Sequence, residues 1–101
     1  MIINVKNQTI ISTIFSDSEI AWKIEDAVLV LEYLKGENKI VLGGDILTEK
    51  MEYTYDNWYY NVEHSQSRKN CIERSVERAT EYILKYIEAN GSAFYVIFVV
   101  E

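Results

Sequence analysis

The sequence predicts an α+β fold: two main helices packed on one face of a small, mostly antiparallel β-sheet. Three observations carry this. Residues 24–34 and 72–87 place apolar side chains at i, i+3 and i+4, the spacing of a helix with one buried stripe. Residues 53–60 are rich in Tyr and Trp and alternate in the manner of a strand. The closing run AFYVIFVV is continuously apolar and of strand length, as a central strand buried on both faces would be.

Taken in order, residues 2–15 are ambiguous. Ile2, Ile3 and Val5 suit a strand, while Ile10, Ile11, Ile14 and Phe15 have the spacing of a short helix over about 7–15, which is the expectation adopted. The first main helix carries Ile24, Ala27, Val28, Leu31 and Leu34 on one stripe, with Trp22 just before it and Gly36 as its stop. Ser16 with Glu19 reads as a capping box and favours an early start near Ser18, whereas Glu25 and Asp26 suit a first turn that begins at Lys23. Lys39–Leu42 reads as a buried strand. Gly43-Gly44 then bends it, holds a bulge or admits another backbone.

The segment TEKM is a turn, followed by a strand from Met51 to Val62. Alternation places Tyr53, Tyr55, Asn57 and Tyr59 on one face, and Thr54, Asp56, Trp58 and Tyr60 on the other. The polar tract EHSQSRKN is a loop in which Ser67 caps the second helix, and Asn90-Gly91 ends that helix.

A chain of 101 residues with 49% apolar side chains, no proline and four glycines is expected to form one domain over residues 1–101. The formal charge of −6 opposes binding to nucleic acid or to an anionic membrane, and suits a basic partner or plain solubility. The single cysteine, Cys71, excludes an intramolecular disulfide and a CxxC pair. No signal-peptide pattern and no run of membrane-spanning length is present, so a soluble cytoplasmic protein is expected.

No motif announces catalysis. The tripeptide Gly43-Gly44-Asp45 lacks the second acid of the diguanylate cyclase turn, and no Gly-Lys-Ser/Thr follows to make a phosphate loop. Asp45, Glu49, Glu52 and Asp56 do not have EF-hand spacing and read as a solvated acidic face. His64 lies in a loop too close to Ser65 and Ser67 for a nucleophile–base geometry. Cys71 lies near a helix start beside Arg68 and Lys69, but it reads as a structural thiol. No metal and no cofactor are expected. The aromatic ladder fits two readings equally: a hairpin that uses Tyr as a strand former, or a protein-binding patch rimmed by acids.

The stretches LEYLKGENKIVLGGDIL, YTYDNWYYN, RSVERATEYILKYI and FYVIFVV resemble the immunity proteins of bacterial polymorphic toxin systems, in particular the immunity protein 40 type. In that family a strand ending in Gly-Gly-Asp precedes a Tyr-Asp-Asn-Trp-Tyr segment and a helix with a central Ser. The matching positions are Gly43, Gly44, Asp45, Tyr55, Asp56, Asn57, Trp58, Tyr59 and Ser75, and the resemblance covers residues 22–100. It implies a non-catalytic protein that binds one cognate toxin domain and neutralises it stoichiometrically, a nuclease being one candidate class of toxin.

An acidic inhibitor complements the basic cleft that a toxin acting on nucleic acid needs. The expected contacts are the acids Asp45, Glu49, Glu52 and Asp56 with Trp58 and Tyr60 as anchors. Tyr53 and Tyr55 are the alternative face, and Glu25, Asp26 and Glu32 a second acidic patch. Replacing Asp56 by Lys or Trp58 by Ala is then expected to spare the fold and weaken the complex. The rivals are a self-associating or ligand-binding α+β module, and an enzyme using Asp45, Asp56 and His64. Oligomeric state is open.

Overall fold

Local turn chemistry sets the first elements. In the computed structural model, which describes all residues from Met1 to Glu101, strand β1 (Ile2–Val5) pairs antiparallel with β2 (Gln8–Ile11). Lys6 and Asn7 take φ of 49° and 64° between them. Two consecutive left-handed residues make the hairpin turn whose twist matches the strands it joins. A second hairpin follows, β3 (Thr13–Ser16) with β4 (Glu19–Lys23). The helix expected over 7–15 is therefore absent. Its apolar residues are β-branched or aromatic and pair across strands, as Ile3–Ile10 and Ile14–Ile20 do, with Ile3 and Ile10 buried in the core and Ile14 left exposed. Ser16 and Glu19 close the second hairpin by pairing with each other, and they cap no helix.

The first helix starts late, as Glu25 and Asp26 suggested. A 3-10 turn over Ile24–Asp26 leads into α1 (Ala27–Gly36). Gly36 is its last helical residue, and Asn38, at φ 59°, takes the left-handed position. Strand β5 (Val41–Thr48) continues through both glycines, with an irregularity in its pairing between Val41 and Gly43. Thr48–Met51 forms the expected turn, with the Met51 amide donating to the Thr48 carbonyl at 2.9 Å. Strand β6 covers Tyr53–Tyr59, shorter than the expected 51–62. Helix α2 (Arg68–Asn90) is capped by the Ser67 hydroxyl, which accepts from the Asn70 amide at 3.2 Å. It ends at Gly91, where φ is +86°. Strand β7 (Phe94–Val100) closes the fold.

The five-stranded sheet has the order β3-β4-β7-β5-β6, antiparallel throughout, so the apolar β7 is central as its composition predicts. Both helices lie on one face and share one core with it. Leu31 and Val30 of α1, Ile83 and Ala79 of α2, and Ile46, Trp58, Val96 and Trp22 of the sheet are all buried there. The β1–β2 hairpin adds Ile3 and Ile10 to the same core. The opposite face carries no helix. Its floor is Ala21, Leu47 and Ile97, flanked by Phe15, Met51 and Tyr95. The sheet curls so far that Phe15, on edge strand β3, reaches Tyr53, on the other edge strand, with ring centroids 5.3 Å apart.

Candidate partner-binding face

The β5–β6 hairpin is positioned by three contacts. The first explains the paired glycines. Gly44 lies opposite Trp58, and the indole lies flat against it. A Cβ on Gly44 would overlap that ring and come within 2.6 Å of the Ile97 carbonyl oxygen. A Cβ on Gly43 would run into the Trp58 carbonyl and lie 3.1 Å from the Tyr59 Cα. Both glycines thus serve close approach, one of the uses the sequence left open. Trp58 is then held between Tyr82, stacked at 4.8 Å, and Phe98, edge-on at 6.0 Å.

The second contact is made by Ser75. This fully buried hydroxyl accepts from the Val41 amide at 3.0 Å and donates to the Ile72 carbonyl at 3.0 Å. The β5–β7 register slips between Val41 and Gly43, where ladder pairing is interrupted. A side chain from α2 thus completes the hydrogen bonding of a bulged strand.

The third contact builds a bulge in β6. Leu47 pairs with Tyr53 and Asp45 with Asn57, so Thr54, Tyr55 and Asp56 stand opposite Ile46 alone. The Thr54 hydroxyl donates to the Ile46 carbonyl at 2.8 Å and accepts from the Asp56 amide at 3.0 Å. Asp56 accepts from the Tyr86 hydroxyl at 2.8 Å, and the Asn57 amide group donates to the Tyr55 carbonyl at 3.3 Å. Within this frame Tyr55 takes φ 69°, a left-handed conformation rare for an aromatic residue. Burial, and then the bond to Asp56, push the Tyr86 hydroxyl up to about 12.

These contacts decide where the expected binding residues lie. Trp58 is 4% exposed and belongs to the main core, so its replacement by Ala would empty the core and not spare the fold. Tyr60 turns to the helix side and packs against a small cluster of Ile40, Cys71 and Ile72. Its buried hydroxyl has no hydrogen-bond partner, and burial followed by the nearby Cys71 raises its pKa. Cys71 is buried, with its thiol donating to the Glu63 carbonyl at 3.6 Å, which fits the structural reading. Trp58 presents no ring to solvent, and Tyr60 is half-buried with its hydroxyl covered. Asp56 is exposed but tied to α2 through Tyr86. Asp45 is half-buried on β5, and Glu49 and Glu52 are exposed around the turn. His64 lies exposed in the loop before α2.

The rings that do face solvent are those of the alternative face. Tyr55 is 84% exposed, Tyr59 66% and Tyr53 43%. Tyr55 stacks on Tyr53 at 6.3 Å. Partial burial, then the negative charges of Glu19 and Asp45, raise the Tyr53 pKa. Alternation puts Phe15, Glu19 and Tyr95 on this same helix-free face. Phe15 and Glu19 escaped sequence reasoning because their segments read as helix. Their hairpin closes at the Ser16–Glu19 pair, whose spacing also fits a capping box. No group of three or more His, Cys, Asp and Glu side chains converges to hold a metal ion.

The pattern that defines the immunity protein 40 family matches residues 6–100. This chain belongs to that family. The match includes β2, the β3–β4 hairpin and the β5–β6 hairpin, and so extends upstream of the residues that first suggested it. No curated protein and no solved structure matches the chain. The positions that carried the resemblance are largely structural: Gly43, Gly44, Trp58 and Ser75 hold the hairpin against α2. Tyr55, Asp56 and Asn57 shape the β6 bulge. No helix is long and apolar enough to cross a membrane.

Proposed function

We propose that this immunity protein 40 family member binds a cognate bacterial toxin domain and neutralises it by stoichiometric protein–protein contact in the cytoplasm, with no catalytic step of its own. Family membership supports an immunity role. The observation that carries the mode of action is the helix-free sheet face, where Tyr53, Tyr55 and Tyr59 are exposed and strand alternation also places Glu19 and Asp45. Contiguous exposed rings with an acidic rim suit a protein interface whose other side is basic. Asp45, Glu49 and Glu52 are the acidic contacts of this reading. Asp56, Trp58 and Tyr60 contribute by shaping the hairpin that presents them. A nuclease toxin, with a basic cleft for phosphate, is the partner class this charge pattern suits best.

The test is calorimetric titration with the toxin domain encoded beside this protein, at two salt concentrations. Tight one-to-one binding that weakens with salt is expected. Absence of binding would reject the proposal.

A second reading, self-association, has one observation in its favour. Met1, Ile2, Ile11 and Ile14 are exposed apolar side chains on the N-terminal hairpins, with Ile2 and Ile11 paired across β1–β2 and Ile14 77% exposed. Light scattering separates the two readings, since a stable homodimer without toxin would support self-association.

A further inference from the structure

We infer that Tyr55 anchors a protein surface bearing arginine or lysine on the helix-free face, an assignment that rests on the toxin-binding reading above. The β6 bulge spends three residues opposite one, and its outcome is the projection of the Tyr55 ring. The ring has an aromatic neighbour. It stacks on Tyr53 at an interplanar angle of 30°, and Tyr53 meets Phe15 edge-on at 80°. Behind the backbone, Thr54, Asp56 and Asn57 clamp the turn through the hydrogen bonds already described. A ring whose backbone is held in place before binding loses less entropy when it is covered, which suits a hot-spot residue.

The chemistry of the occupant follows from charge. Glu19 and Asp45 stand on this face, and Glu49 and Glu52 at the turn that ends it, against Lys23 and Lys50. A second copy of this chain would bring the same carboxylates against themselves across a two-fold axis, with a charge of −6 on each partner. A nucleic acid would meet them with phosphates. A guanidinium or ammonium group is attracted by the carboxylates and by the π faces of Tyr55 and Tyr53 together. The face therefore selects a basic protein surface.

The experiment compares the wild type with Tyr55→Asn, Tyr55→Gly and Tyr55→Phe against the catalytically inactivated toxin domain encoded beside this protein. Asn and Gly accept the left-handed backbone and remove the ring, so the fold is retained, and thermal melts verify it. Phe keeps the ring. The expected result is binding weakened by at least about tenfold for the Asn and Gly variants and changed by less than about threefold for Phe. Wild-type binding with unchanged affinity in Tyr55→Asn and Tyr55→Gly would overturn the anchor and leave the toxin-binding reading standing. No binding by the wild type would remove both. A homodimer that dissociates in Tyr55→Asn would overturn the assignment by giving the face to a second copy.

Discussion

The Ser75 hydroxyl accepts a hydrogen bond from the Val41 amide at 3.0 Å, across 34 residues of chain, with both residues fully buried. Removing the hydroxyl leaves a buried N–H without a partner, a loss of about 1–3 kcal/mol. Ser75→Ala is therefore expected to lower the unfolding free energy by that amount, moving the urea midpoint down with an unchanged slope. A variant as stable as the wild type would show that the bulge finds another acceptor.

Gly44 and Gly36 should respond oppositely to the same substitution. Gly44→Ala drives a methyl group into the Trp58 ring and the Ile97 carbonyl, and is expected to cost about 1–3 kcal/mol or more. Gly36 is helical, and a methyl group there would meet open space, with no atom within 4 Å. Gly36→Ala should stabilise by about 0.5–1 kcal/mol. Thermal melts of the two variants that moved in the same direction would contradict this account.

Trp58 is expected to fail as a binding probe. Its truncation to Ala removes the ring that joins β6 to Tyr82 and Phe98, at a cost of about 3–5 kcal/mol. Any loss of partner binding in Trp58→Ala should track the loss of folded protein. A fully folded Trp58→Ala variant with weakened binding would return Trp58 to the interface.

Alkaline stability should carry the mark of Tyr86. Its folded pKa is raised from 10.0 to about 12, by burial first and by the Asp56 carboxylate second. The folded state thus holds a proton that the unfolded state releases earlier. The stabilising contribution is complete below the unfolded pKa, declines between about 10 and about 12, and is lost above the folded value. Stability measured against pH in that window should fall less steeply in Tyr86→Phe than in the wild type. Equal slopes would mean that another group governs the alkaline limb.

Much of the fold was legible in the sequence. Ser67 and Asn90-Gly91 bracket α2 because capping is a contact between near neighbours. Phe94–Val100 had to be central because no edge strand tolerates so continuous an apolar run in water. The Tyr53–Tyr59 alternation assigned Tyr53, Tyr55 and Tyr59 to one face and Trp58 to the other, and the structure keeps that division. The N-terminal segment was not legible locally. By spacing, Ile10, Ile11, Ile14 and Phe15 fit a helical stripe and strand pairing equally well; burial of Ile3 and Ile10 in the shared core favours the first hairpin, and the packing of Phe15 against the helix-free face favours the second.

Tertiary structure alone decided which of the two tyrosine and tryptophan faces meets solvent. Alternation separates side chains into two sets, but it is silent on which set a helix will cover. That choice is made by α2, whose Tyr82 and Tyr86 close over Trp58 and Asp56. It leaves Tyr55 outside, because covering one face of a sheet takes a single helical layer and this chain has helices for only one.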